Sequence, residues 1–213
     1  RYEPPEPMST GGETEKPPEG YHPVTDIEAL QRYVHVFEKG EIVFCSEKAH
    51  GAFGRWVCVG NQIYCGSKKE WKRESEANVW WKTLRAYPQL EKLLRAHEDL
   101  TVYGEVLGVQ DLKYGYDKGK VGLAVFDILN RDRWVDPTEM LDWCCLYSIP
   151  TVPVVGSVPF DFDKLQSMAD GESLIPGASN IREGIVVRPM LERQNDEIGR
   201  VILKLVSNAY LLR

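Results

Sequence analysis

Ile42-Val43-Phe44-Cys45-Ser46-Glu47-Lys48-Ala49-His50-Gly51 carries an apolar run straight into a charged turn. Ile42 to Cys45 read as a buried strand, and Lys48 stands at its end. Gly51 follows, a residue that lets backbone come close to a ligand. Taken alone, Lys48 reads as a surface lysine at a strand end. Four later segments alter that reading: Tyr103-Gly104-Glu105-Val106, Val125-Phe126-Asp127-Ile128-Leu129, Glu183-Gly184-Ile185-Val186-Val187-Arg188 and Leu203-Lys204-Leu205. Each sets a polar or aromatic side chain within or beside an apolar run.

Working outward from Lys48, Trp56-Val57-Cys58-Val59 and Ile63-Tyr64-Cys65 flank Gly60-Asn61, a hairpin signal. Upstream, Thr25-Asp26-Ile27-Glu28 reads as a capping box that opens a short helix through Val34. Downstream, apolar spacing predicts helices over 75–84 and 88–97, and strands over 101–107 and 121–129 with a Gly- and Tyr-rich loop between them. A helix over 137–147, a short strand over 152–155, a helix over 163–169 and strands over 184–188 and 200–206 complete the pattern. Strands interrupted by helices without a regular βαβ repeat indicate an α+β fold of largely antiparallel sheets flanked by helices. Residues 1–23 hold six prolines and hardly any aliphatic side chains, so they read as an extended Pro/Glu-rich linker ahead of a folded unit over 24–213. A chain that opens at Arg1 with such a linker predicts a further domain before it.

With 213 residues, 43% of them hydrophobic, the chain can bury a real core. No apolar run approaches the ~20 residues of a membrane span, and no signal pattern opens the chain. It reads as soluble and intracellular. Cys45, Cys58, Cys65, Cys144 and Cys145 are odd in number and lie mostly in apolar runs, which predicts buried free thiols; no Cys or His spacing suggests zinc. A net charge of −6 argues against holding nucleic acid by bulk attraction, so any such contact must be local. Lys68, Lys69, Lys72 and Arg73 around Trp71 are a candidate for it, or simply a solvated face.

A nucleophilic amine, two carboxylates, an aromatic face and a second amine are what a covalent lysyl-nucleotide site needs. Their order and spacing resemble the covalent nucleotidyltransferases, the superfamily of polynucleotide ligases and mRNA capping enzymes. Glu-Lys-x-His-Gly is most similar to the ATP-dependent RNA ligases, because DNA ligases and capping enzymes usually carry Lys-x-Asp-Gly. The resemblance spans residues 41–213 and implies an ATP-grasp-like nucleotidyltransferase domain. It further implies ATP, Mg2+ or Mn2+, and RNA with 5′-phosphate and 3′-hydroxyl ends, with or without a bridging RNA or DNA strand. A monomer is expected. The branch it resembles is the Deinococcus and Naegleria type, in which an OB domain precedes the catalytic domain, in keeping with the linker at 1–23.

The same resemblance assigns roles. Lys48 is the nucleophile; a lysine amine is almost wholly protonated at neutral pH, so a metal or a neighbour such as Lys204 must favour its neutral form. Glu183 handles the catalytic metal, and Lys204 meets the α-phosphate. Glu105 takes a ribose hydroxyl, or else points outward from a half-exposed strand. Phe126 stacks on adenine, or else packs the core. Glu47 contacts the adenine amine, which predicts ATP over GTP, and His50 sits near the phosphates or the RNA end. Lys68 and Arg188, with Arg55, are candidates for ribose or phosphate. Two positions depart from the family pattern: Phe53 stands where Arg or Asn is usual, and Val206 where a second lysine is expected. Those departures keep a non-catalytic RNA-binding module of the same fold in contention, beside a DNA ligase or a GTP-dependent capping-type enzyme.

Overall fold

The computed structural model describes residues 14–24, 26–110 and 112–212. Two antiparallel sheets face each other across a cleft, each backed by helices. The larger sheet has seven strands: β1 (Thr14–Glu15), β4 (Ala52–Val59), β5 (Gln62–Gly66), β6 (Trp71–Lys72), β7 (Leu100–Leu107), β8 (Gly122–Asn130) and β9 (Arg133–Trp134), in the order β1-β6-β5-β4-β7-β8-β9. The smaller has β2 (Glu28–Ala29), β3 (Ile42–Glu47), β10 (Val154–Pro159), β11 (Gly184–Pro189) and β14 (Leu203–Val206), in the order β10-β3-β11-β14-β2. Only the β14–β2 pair in it is parallel. A hairpin of β12 (Gln194–Asn195) and β13 (Gly199–Arg200) stands apart.

Period-two alternation divides each sheet between core and cleft. In the smaller sheet Val43, Cys45, Ile185, Val187, Leu203 and Leu205 pack with Leu30, Val36 and Leu165, the last on α4 (Phe162–Ala169). Their neighbours Phe44, Ser46, Val186, Arg188, Ile202 and Lys204 line the cleft. In the larger sheet Trp56, Cys58, Val102, Val106, Val125 and Ile128 pack beneath α1 (Val79–Ala86), α2 (Pro88–Ala96) and α3 (Pro137–Tyr147), while Phe53, Tyr103 and Glu105 face the cleft. A β-bulge breaks the β7–β8 register: Tyr103 opposes Asp127 and Gly104 opposes Val125. The extra residue is Phe126, and the bulge turns two successive side chains, Phe126 and Asp127, toward the cleft.

Asp127 is the centre of a buried ion network. Arg188 Nη1 donates to Asp127 Oδ1 at 3.3 Å and Arg200 Nη2 to the same oxygen at 3.0 Å; Arg200 Nε donates to Glu192 Oε2 at 2.8 Å, and Arg188 also pairs with Glu192. Arg188 Nη2 reaches the Val135 carbonyl at 2.9 Å, and the Arg200 guanidinium lies 4.0 Å over the Trp134 ring. Three separate elements, β8, β11 and β13, are thereby joined.

Most expected elements stand where the sequence puts them, including the hairpin turn, whose Gly60 and Asn61 take φ of 56° and 62° as a two-residue turn of this hand requires. Four expectations are corrected. The helix expected after residue 26 is β2 followed by two 3₁₀ turns, Leu30–Arg32 and Val34–Val36, because pairing with β14 keeps Glu28 and Ala29 extended; Thr25, in the expected capping box, lies outside the described residues. Residues 14–23 are not a free linker: β1 pairs with β6, and His22 Nδ1 lies 2.8 Å from Thr101 Oγ1. Residues 1–13 of that expectation lie outside the described residues. α1 starts at Val79 rather than near Ser75, because Asn78 caps it by accepting from Trp80 and Trp81 amides. The last expected strand is interrupted at 201–202, where Arg200 turns into the ion network. Among the described residues no helix is long and apolar enough to cross a membrane, and four of the five free cysteines are buried, Cys145 being exposed.

Removing one member of a buried ion network leaves another charge without its counter-ion, a loss of about 3 kcal/mol or more. Asp127→Asn should therefore lower unfolding free energy in urea by roughly that amount. Asp99→Asn, which breaks the exposed Asp99–Arg131 pair, should leave it nearly unchanged. Equal effects of the two substitutions would contradict this account of the network.

Candidate active site

Lys48 follows the last residue of β3, and its amide donates to the Gly184 carbonyl at 2.9 Å, continuing the β3–β11 ladder by one step. That step sets Lys48 beside Glu183, which precedes β11. Lys48 Nζ donates to Glu183 Oε1 at 2.6 Å, and His50 Nδ1 lies 3.1 Å from Glu183 Oε2. One carboxylate thus holds both side chains of the Lys-x-His turn. Burial alone would push the Glu183 carboxyl up, but the hydrogen bonds and charges of His50 and Lys48 together hold it below the usual carboxylate range. Gly184 is needed for close packing, because a Cβ there would lie 2.2 Å from the Leu205 carbonyl oxygen on β14.

Gly51 fixes the other side of the turn. A Cβ on Gly51 would meet the Val106 carbonyl oxygen at 2.2 Å, and its amide donates to Glu105 Oε1 at 2.9 Å. Glu105 is half-buried on β7, opposite Phe53 on β4. Burial pushes its carboxyl up to about 7 from the usual 4.5, against the opposing pull of the Lys48 charge and the Gly51 amide. Glu47, 1% exposed, accepts the Ser173 hydroxyl at 2.5 Å and the Leu174 amide at 2.6 Å. It ties the strand to the loop between α4 and β11 while still lining the cleft.

The cleft encloses about 280 Å3 and takes its apolar lining from both sheets. Phe126 and Phe53, with ring centroids 5.7 Å apart, come from the larger sheet; Val186 on β11 and Ile202, just before β14, line the other side. Lys204 sits opposite Val186 in the β11–β14 ladder and lines the cleft half-buried, with no ion-pair partner among the described residues. Lys68 lines the cleft too and is paired with Asp26. Lys48, Glu47, Glu105, Phe126, Lys68, Arg188 and Lys204 therefore meet in one cavity. Glu183, His50 and Gly51 form its lip beside Lys48.

Two placements differ from the sequence picture. Arg188 lines the far end of the cavity, but it is 2% exposed and engaged by Asp127, Glu192 and the Val135 carbonyl. The basic cluster does not surround an exposed Trp71. Trp71 is buried, Arg55 lies 4.2 Å over its ring, and Lys72 turns inward to Glu70 Oε2 at 2.6 Å. Sequence reasoning missed the supports of the lip. Tyr114 accepts the His50 amide at 2.9 Å, Ser173 holds Glu47, and the Tyr210 ring lies 6.4 Å from that of His50. None has a spacing signal, because loops bring them in. Phe53, noted only as a departure, is a wall of the cavity, which its alternation in β4 suggests in hindsight.

Two facing sheets with a lysine on the lip define a nucleotidyltransferase fold of the ligase type. A profile of the RNA ligase family matches residues 41–206, and the chain belongs to that family. Solved structures of Naegleria gruberi RNA ligase are similar throughout. A mutant with ATP and Mn gives a TM-score of 0.79 at 24% identity, over 99% of this chain and 63% of that one. The protein with PPi gives 0.76 at 23%, over 99% and 63%, and a mutant with AMP and Mn gives 0.76 at 23%, over 95% and 61%. The chain thus spans less than two thirds of the length of these relatives. No curated protein matches the sequence.

Glu105 supplies a test of the site's electrostatics. Because its folded-state carboxyl holds the proton more tightly than the unfolded chain does, its contribution to stability falls as pH rises from 4.5 through about 7. Glu105→Gln removes that dependence. Its melting temperature relative to wild type should rise from pH 5 to pH 8; parallel pH profiles for the two proteins would show that Glu105 is not perturbed.

Proposed function

We propose that the chain is the adenylyltransferase portion of an ATP-dependent RNA ligase and that Lys48 carries the AMP. The observation that supports this most is the Lys48–Glu183 contact at the lip of a cavity that also collects Phe126, Glu105, Lys68 and Lys204. In this reading the base lies between the two sheets, against Phe126 and Phe53 on one side and Val186 and Ile202 on the other. Glu105 accepts a ribose hydroxyl. Glu47 accepts from the adenine amine, which favours ATP; guanine would set its O6 against that carboxylate and leave an unpaired acceptor, at a loss of about 1 to 3 kcal/mol. Lys204 and Lys68 meet the phosphates. Arg188 acts at a distance, holding the far wall through Asp127 and Glu192.

The residues fit a divalent cation. Glu183 offers two carboxylate oxygens beside the amine, and Mg2+ or Mn2+ held chiefly by phosphate oxygens and water needs only one or two carboxylates. Among the described residues there is no group of three acidic, His or Cys side chains that would make a protein cage, which suits that mode of binding. Such a cation supplies charge neutralisation on the phosphates.

The chain's own residues do the rest. Glu183 Oε1, 2.6 Å from Lys48 Nζ, is the nearest acceptor for the ammonium proton. Held below the usual carboxylate range, Glu183 stays ionised and orients the amine, and the ammonium proton leaves to solvent before the amine attacks. The freed lone pair attacks the α-phosphorus, an N–P bond forms, the α–β P–O bond breaks, and pyrophosphate leaves. Lys204 faces the charge that develops on the α-phosphate. An RNA 5′-phosphate oxygen then takes AMP from Lys48, and a 3′-hydroxyl displaces AMP to form the phosphodiester. His50 stands on the outer side of the lip, beside Tyr210 and Tyr114, where an RNA end would approach.

Incubation with α-labelled ATP and Mg2+ followed by denaturing electrophoresis should label the chain, and Lys48→Ala should abolish the label while leaving the melting temperature near wild type. Labelling of Lys48→Ala at the wild-type level would overturn the assignment. Lys204→Met should slow single-turnover labelling by at least ~100-fold, as expected for deleting a main charge stabiliser; a rate within threefold of wild type would remove Lys204 from the phosphate.

A further inference from the structure

The segment before β3 crosses the mouth of the cleft from one sheet to the other. At one end β1 pairs with β6 through Thr14 and Glu15, and Pro18 is buried. His22 then anchors the path twice: its Nδ1 lies 2.8 Å from Thr101 Oγ1, and its carbonyl accepts Arg55 Nη1 at 2.8 Å. At the other end β2 pairs with β14, with Ala29 opposite Lys204. Pro23, Asp26 and Ile27, between these anchors, line the cavity. There the Asp26 carboxylate is ion-paired with Lys68.

Lys68, in the turn between β5 and β6 of the larger sheet, and Lys204, on β14 of the smaller, line the same cavity. Burial, then the charges of Lys204 and Lys69, hold the Lys68 amine below the usual lysine range. Facing cations of this kind attract an anion, and Asp26 is the anion that the chain itself places there. The Lys68 and Asp26 side chains are 44% and 79% exposed, so packing locks neither in place. An exposed carboxylate–ammonium pair is weak and readily exchanged. A polyphosphate offers the same ammonium several charged oxygens on one molecule.

We propose that Asp26 is a built-in competitor for nucleotide phosphate: its carboxylate occupies Lys68 and releases it when a phosphate oxygen takes the same ammonium. The inference rests on the nucleotide reading above and adds to it a residue that sets affinity from outside the five motifs. Asp26 lowers apparent affinity by the strength of the pair it must give up, and its effect exists only while Lys68 is present.

The test is a calorimetric titration with α,β-methylene-ATP and Mg2+, a nucleotide whose bridge Lys48 cannot cleave. Asp26→Asn should lower Kd by about two- to fivefold, the range an exposed ion pair supplies. Asp26→Ser, which lacks a carbonyl that could still accept from Lys68, should do so at least as strongly. In a Lys68→Met background neither substitution should shift Kd. An unchanged or higher Kd for both Asp26 variants overturns the proposal, and so does an undiminished gain in the Lys68→Met background, which would mean general repulsion instead of competition for one amine. Failure of the wild-type chain to bind the nucleotide would sink the nucleotide reading itself, whereas wild-type binding with no shift on Asp26 substitution sinks the competition alone.

Discussion

Asp127, Arg188 and Arg200 are buried where the two sheets meet, with the half-buried Glu192 closing their ion network. Each of the three buried members would be costly to bury alone, and each is tolerated because the others supply opposite charge and directed hydrogen bonds. The Arg200 guanidinium stays charged there because the attraction of Asp127 and Glu192 outweighs the desolvation that opposes it. The network fixes more than distance. Asp127 reaches it only because the β8 bulge reverses the ordinary alternation, and the same bulge aims Phe126 into the cavity. The ion network and the aromatic wall therefore depend on one irregularity in one strand.

At the opposite end of the cleft the constraint is the β3–β11–β14 ladder. Its register places Lys48 beside Gly184 and Lys204 across from Val186, so residues of three motifs far apart in sequence become neighbours through ordinary backbone pairing. Gly184 and Gly51 allow the approach, since a Cβ on either would strike a carbonyl oxygen at 2.2 Å. The Lys48–Glu183 contact follows from this framework. A lysine at a strand end and a glutamate at the start of the adjacent antiparallel strand have few other places to go.

What was legible in the sequence was whatever rested on local pattern. The period-two runs of β3, β7, β8 and β14, the Gly60-Asn61 turn and the helices α2 and α3 follow from short-range spacing, and the motif residues could be named because each interrupts an apolar run. What was not legible depended on partners distant in the chain. Residues 14–23 look like linker by composition, yet β6 offers an open edge and His22 a ring that fits between Thr101 and Trp71. Glu28 and Ala29 carry a helix signal that strand pairing overrides. The motif of Arg188 makes it a candidate for ribose or phosphate contact, and nothing in it announces the carboxylates of Asp127 and Glu192 that engage its guanidinium.

The net charge of −6 takes on a different meaning beside this geometry. An acidic protein can still hold a polyanion if its cations stand inside a cleft and its carboxylates are engaged elsewhere, because low-dielectric walls strengthen the near charges relative to the distant ones. In this cleft Lys48, Lys68 and Lys204 face one cavity, while Asp127 is neutralised by two arginines and Glu47 is held by a hydroxyl and an amide. Glu105, with its carboxyl pushed up to about 7, carries only part of a negative charge at neutral pH. Of the cavity's acids, Asp26 alone is both exposed and paired with one of the three lysines. Local charge at the cleft is thus set largely by which acids are already occupied, and the composition of the whole chain says little about it.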